Sequence, residues 1–145
     1  MQKFLDVNVW LPLVWQSHSA NAMAKDWASK VKQDFVICRV VQMALLRHLT
    51  NPAIMGSEVL TNNSAAKLVQ AIVKSDHCHF AAEPKQLEMF FPKLGESPKP
   101  HRNLWTDAYL ASFAMAGGYE FVTFDKDFKK FKKAGLQLEL LNFSP

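Results

Sequence analysis

Between Arg102 and Phe128 the chain changes period at a glycine pair, which dictates a helix followed at once by a buried strand. Leu104, Ala108, Ala111 and Met115 recur at helical spacing, Asn103 or Thr106 is suited to cap the start, and Gly117-Gly118 ends the run. Phe121-Val122-Thr123-Phe124 is then a short aromatic and β-branched run that stops at Asp125. In a parallel α/β sheet, helices begin near the carboxyl ends of strands. Asp107, in the first turn of the helix, and Asp125, just past the strand, are therefore expected at one edge, where such folds keep their sites.

The same alternation runs through the chain. Phe4-Leu5 marks a first strand ending at Asp6. Val9 to Trp15 reads as a short apolar helix with Pro12 in its first turn, and Ser17 to Lys32 as an amphipathic helix. Phe35 to Cys38 is a second strand passing directly into a helix over 39–49, stopped by Asn51-Pro52. A connection over 53–63 precedes a helix over 64–73, a strand over 77–80, a short helix over 83–91 and a loop over 92–100. Leu138 to Leu141 is a fifth strand. Strands alternating with helices predict a three-layer α/β domain, with helices flanking a mostly parallel sheet of four to five strands.

At 145 residues with 49% hydrophobic content, one domain spanning 1–145 is expected. No apolar run approaches the length of a membrane span, and the N-terminus opens into a strand, so no membrane association and a cytoplasmic location are expected. Cys38 and Cys78 both lie beside apolar residues, which favours reduced, buried thiols. A net charge of +4 favours an anionic partner.

If strands one and four are neighbours, Asp6 ends at the edge that holds Asp107 and Asp125. Two unit charges about 4 Å apart repel by roughly 4 kcal/mol at an effective dielectric near 20, so three carboxylates there call for a cation. Mg²⁺ or Mn²⁺ suits oxygen ligands and phosphate oxygens, which points to metal-assisted phosphodiester hydrolysis.

Four motifs in register carry a resemblance: Phe4-Leu5-Asp6-Val7-Asn8; Arg39-Val40-Val41-Gln42 through Pro52; Asp107-Ala108-Tyr109-Leu110-Ala111; and Val122-Thr123-Phe124-Asp125-Lys126-Asp127-Phe128. The chain resembles the PIN-domain ribonucleases, and among them the VapC-type toxins of toxin-antitoxin pairs. The resemblance implies a metal-dependent endoribonuclease acting on structured RNA such as transfer or ribosomal RNA, neutralised by a cognate antitoxin and usually a homodimer. It implies Asp6, Asp107 and Asp125 as metal-binding catalytic carboxylates, with Asn8 and Thr123 as polar neighbours orienting them or the water. Gln42 departs from the pattern, because many PIN domains place a glutamate there. It keeps an oxygen and loses the charge, so weaker metal binding is expected. Asp127 either fills that gap as a fourth ligand or belongs only to a turn. A PIN domain that binds RNA or protein without cleaving it is the alternative, with Gln42 its main support.

Arg39, Arg102, Lys126, Lys129 and Lys130 are the expected RNA-binding cations, weighed against a simple solvated lysine face. Asp76-His77-Cys78-His79 lacks a partner Cys-x-x-Cys and reads as a strand with Cys78 buried. Trp10, Trp15, Trp27 and Trp105 read as core or interface. The stretches Val9 to Trp15 and Leu45 to Leu49 are expected to leave apolar surface for self-association or for an antitoxin peptide.

Overall fold

The computed structural model describes residues 1–142. The last three residues of the expected domain lie outside the described ones. Five strands, β1 (Lys3–Leu5), β2 (Phe35–Ile37), β3 (Cys78–Phe80), β4 (Glu120–Thr123) and β5 (Leu138–Leu140), form one sheet in the order β3-β2-β1-β4-β5. Every pairing is parallel, as expected. From β1 the chain builds outward through β2 and β3, then returns to lay β4 and β5 on the other side. The sheet therefore switches direction between β1 and β4, where Phe4 pairs with Phe121 and Leu5 with Val122.

The helices are α1 (Val7–Val14), α2 (Asn21–Lys30), α3 (Arg39–Leu49), α4 (Pro52–Met55), α5 (Asn62–Val73), α6 (Phe91–Leu94) and α7 (Leu104–Gly117). On one sheet face the Phe4 ring lies 4.9 Å from Phe113 of α7. Phe121, its cross-strand neighbour, lies 4.6 Å from Phe128. On the other face Phe35 stacks on Trp27 of α2 at 5.6 Å and meets the edge of Trp10 of α1 at 6.0 Å. Cys38 and Cys78 are free and buried.

Several boundaries differ from expectation. The α1 helix starts at Val7, because the Asp6 side chain accepts from the Val7 backbone N–H and caps it. Pro12 consequently falls inside the helix, where it removes one backbone hydrogen bond. Its carbonyl is not orphaned, since buried Asn21 Nδ2 donates to it at 2.7 Å and ties α2 to α1. The α2 helix itself begins only at Asn21. No helix spans 83–91: Leu87–Met89 is one 3₁₀ turn, and α6 begins at Phe91 and occupies part of the expected loop. The expected connection over 53–63 contains most of α4, capped by Asn51, and a 3₁₀ turn over Gly56–Glu58. The α7 helix ends as expected, at Gly118, whose φ of 71° places it in the left-handed region.

The expected apolar surplus is also corrected. Val9, Trp10, Leu11, Leu45 and Leu49 are buried, and Leu13, Val14, Trp15 and Leu46 pack against them. The exposed large apolar side chains lie elsewhere, among them Met43, Phe80, Met89 and Trp105. Trp105 thus departs from the core reading.

Candidate functional site

Asp6 sits where β1 ends. Its backbone N–H donates to the Val122 carbonyl at 2.9 Å, which extends the β1–β4 ladder by one step. Its side chain is nearly enclosed and has a donor on each oxygen: Val7 N–H to Oδ1 at 2.7 Å, and the Thr123 hydroxyl to Oδ2 at 2.7 Å.

Thr123, the last residue of β4, is wholly buried and acts as a hub. A hydroxyl has one proton to give and two lone pairs. The proton goes to Asp6, and the lone pairs accept from Asn8 Nδ2 at 3.1 Å and from the Asp125 backbone N–H at 3.0 Å. Asn8 Oδ1 accepts from the Phe124 N–H at 3.2 Å. The side chains expected to orient the carboxylates are therefore joined to Asp6 and to the backbone that presents Asp125.

The charges around this hub oppose one another. Burial pushes the Asp6 carboxyl up to about 6, against the pull of the Thr123 and Val7 hydrogen bonds; the negative charges of Asp107 and Asp125 push further. Asp107, half-buried in the first turn of α7, is also raised, first by burial and then by Asp125 and Asp127, while Lys130 and His101 oppose the rise. The three expected carboxylates are thus electrostatic neighbours. Asp127 is exposed and adds to the negative charge at Asp107. Asp125 Oδ1 accepts from the Asp127 N–H at 2.9 Å, so this pair also forms the turn weighed as the alternative.

Among the described residues, no three His, Cys, Asp or Glu side chains stand close enough together to close round one ion. The donor chemistry nonetheless fits a hard divalent cation. Asp6, Asp107 and Asp125 offer oxygen only, and the charge they repel with is what such an ion would neutralise.

Gln42 lies one turn into α3, and its Oε1 accepts from Arg39 Nη1 at 2.6 Å. The Arg39 guanidinium carbon also lies 4.7 Å from the Phe80 ring centroid. Arg102 is exposed in the turn before α7. Lys126–Ala134 forms a 3₁₀ helix capped by Asp125, with Phe128 and Phe131 buried. At three residues per turn, Lys126, Lys129 and Lys132 align on one exposed stripe, and Asp127, Lys130 and Lys133 on another. A cleft of about 430 Å³ beside Asn8 and Lys126 is lined also by His18, Phe124 and Asn142. Sequence reasoning missed this cleft, because Ser17 to Ala20 was placed in a helix. It also missed Phe80 as the partner of Arg39.

The sequence matches the family model of the PIN domain over residues 3–134. The chain belongs to the PIN-domain family. Within that family it is of the VapC type. This PIN domain is 37% identical over 142 residues to the ribonuclease VapC41 of Mycobacterium tuberculosis, covering 94% of this chain and 96% of that protein. It is 26% identical over 122 residues to the ribonuclease VapC38 of the same organism, covering 83% of each. Among solved structures, VapC20 of M. tuberculosis, a sarcin-ricin loop cleaving toxin, superposes with a TM-score of 0.65 at 18% identity, covering 92% of this chain and 95% of that one. VapBC-1 from nontypeable Haemophilus influenzae gives 0.66 at 15% identity, covering 97% and 98%. At such identities the structures establish a shared fold.

Proposed function

We propose that this PIN domain is a Mg²⁺- or Mn²⁺-dependent endoribonuclease toxin that cuts structured RNA such as transfer or ribosomal RNA. The observation that carries the reading is the buried Asp6–Thr123 pair at the β1–β4 switch, with Asp107 and Asp125 close enough to raise the Asp6 carboxyl. Relatives named as ribonucleases support the same chemistry.

Asp6, Asp107 and Asp125 would supply oxygens to the ion, some directly and the others through waters that the ion keeps. When bound, it supplies charge neutralisation at the phosphodiester and activates water for attack. Thr123 keeps Asp6 oriented by donating to Oδ2, and Asn8 fixes Thr123 and the Phe124–Asp125 backbone. Asp127 would stand at the periphery as a carboxylate acting on Asp107. Arg39, Arg102 and the lysines at 126, 129 and 130 would hold the RNA backbone by its charge.

A cognate antitoxin would restrain this activity in the cytoplasm, and the toxin would act as a homodimer. Structures of VapBC-1 and of VapBC2 from Rickettsia felis, the latter bound to a DNA fragment from its promoter, support the antitoxin part of this reading. Among the described residues no helix is long and apolar enough to cross a membrane.

A second reading, a PIN domain that binds without cutting, is favoured by Gln42, whose oxygen is bonded to Arg39. Cleavage of total RNA by purified protein across a Mg²⁺ and Mn²⁺ titration separates the two. We expect metal-dependent cleavage that Asp6→Asn and Asp107→Asn abolish. Cleavage that persists in both variants would remove the site from the function.

A further inference from the structure

We propose that Arg39, Gln42 and Phe80 form a phosphate-binding subsite for a nucleotide flanking the scissile one, in which Arg39 makes the contact and Gln42 and Phe80 are positioning residues. The inference rests on the ribonuclease reading and gives Gln42 a role other than that of a depleted metal ligand.

Arg39 is the first residue of α3, at the carboxyl end of β2, and Phe80 is the last residue of β3. Both lie on the sheet edge that carries Asp6. Neighbouring strands are about 4.8 Å apart, so Phe80 stands two strand spacings, on the order of 10 Å, from the end of β1. That separation suits an adjacent nucleotide better than the reacting one.

An exposed arginine ordinarily samples many rotamers, and holding it for a ligand costs entropy. Here two contacts fix it in advance. One N–H donates to Gln42 Oε1 at 2.6 Å, and the guanidinium lies over the Phe80 ring at 4.7 Å. A guanidinium has five N–H donors. Gln42 occupies one, which leaves a fork for two oxygens of a phosphodiester. A neutral glutamine suits this task better than a glutamate, because it orients the arginine without cancelling its charge. Phe80 is 37% exposed, so its ring face is open at the surface where the Arg39 guanidinium lies over it.

The test measures binding of a fluorescein-labelled, 2′-O-methylated RNA stem-loop to metal-free protein in chelator, and separately the kinetics of cleavage of the unmodified RNA. Arg39→Ala should weaken binding 10- to 100-fold and raise KM with little change in kcat. Gln42→Ala and Phe80→Leu should each weaken binding about 3- to 10-fold. In the Arg39→Ala background neither should have a further effect, since both act through Arg39. Gln42→Asn, too short to reach, should behave as Gln42→Ala, while all variants keep the wild-type circular dichroism.

The subsite is overturned if Arg39→Ala binds the RNA as wild type does, if the wild type shows no binding at low salt, or if Gln42→Ala instead shifts the Mg²⁺ midpoint of cleavage in both backgrounds. Weakened metal-free binding by Arg39→Ala, in a protein whose wild type never cleaves, would uphold the phosphate contact and overturn the nuclease reading. The two failures are thereby distinguishable.

Discussion

At the scale of single residues, Asp6 carries a conflict with a measurable sign. Its carboxyl is raised from the ordinary 3.8 to about 6 by burial, opposed by its hydrogen bonds and reinforced by Asp107 and Asp125. A group raised in the folded state contributes stability that is full below its unfolded pKa and lost as pH rises through the folded one. At about 1.4 kcal/mol per pH unit, ionised Asp6 costs the metal-free protein on the order of 3 kcal/mol at neutral pH relative to acid. Asp6→Asn should therefore abolish cleavage, and because only the wild type bears the ionisation cost, the variant's melting temperature in chelator relative to wild type should rise as pH goes from 4 to 7.5, from a baseline lowered by the Thr123 hydroxyl's loss of its acceptor at Oδ2. A melting difference that stays constant between pH 4 and 7.5 would show the carboxylate to be unstrained. Thr123→Val is expected to act oppositely on stability. It leaves the Asp125 N–H and Asn8 Nδ2 without their acceptor and Asp6 without a donor, at about 1–3 kcal/mol, whereas Thr123→Ser should restore most of that loss in urea unfolding. The places of Asp6, Asp107 and Asp125 in the fold were legible in the sequence because each lies just past a strand or in the first turn of a helix, whereas Thr123 came in only with the family resemblance. The Arg39–Gln42 bond was not legible, since a pair three residues apart on a helix says nothing of which partner each side chain chooses.

At the scale of elements, the segment Lys126–Ala134 shows what residue spacing alone leaves open. Two buried phenylalanines three residues apart fit an α-helix or a 3₁₀ helix equally, and only the tighter turn sorts the lysines into separate stripes. The triple variant Lys126→Gln, Lys129→Gln, Lys132→Gln removes one stripe and leaves Lys130 beside Asp107. For single-stranded RNA each phosphate contact contributes about 0.7 to the slope of log affinity against log salt. The slope should flatten by about 2 in anisotropy titrations between 50 and 200 mM salt, and an unchanged slope would assign the stripe to solvent. The helix expected over 83–91 failed for a related reason: Pro84 and Pro92 bracket a stretch with no sustained apolar face, so only single turns form. The start of α1 was misplaced because Asp6 reads as a strand end in sequence, while its side chain also caps the helix that follows.

At the scale of the whole molecule, the alternation of strands and helices was enough to predict a parallel sheet, but the pairing of β1 with β4 that unites Asp6 with Asp125 had to be assumed. One device that holds it lies at the opposite edge. Lys3 Nζ bonds Glu120 of β4 and, at 2.7 Å, Glu139 of β5, and Trp27 Nε1 donates to Glu139 at 2.8 Å. These partners are far apart in sequence, so their meeting was not legible before the register was known. A one-residue slip of β4 against β1 would turn Thr123 away from Asp6, and the ion triad opposes that slip. Burial tends to lower the Lys3 ammonium, but the hydrogen bonds and charges of the two glutamates outweigh it and hold the group above its ordinary 10.5. The triad's contribution is therefore full below 10.5 and declines only as pH rises through the higher folded value. Lys3→Met leaves Glu120 and Glu139 without their shared cation and should cost about 1–3 kcal/mol in denaturant unfolding at pH 8, a difference that narrows above pH 10.5. Equal stability of variant and wild type at pH 8 would show that apolar packing of Phe4 on Phe121 fixes the register unaided.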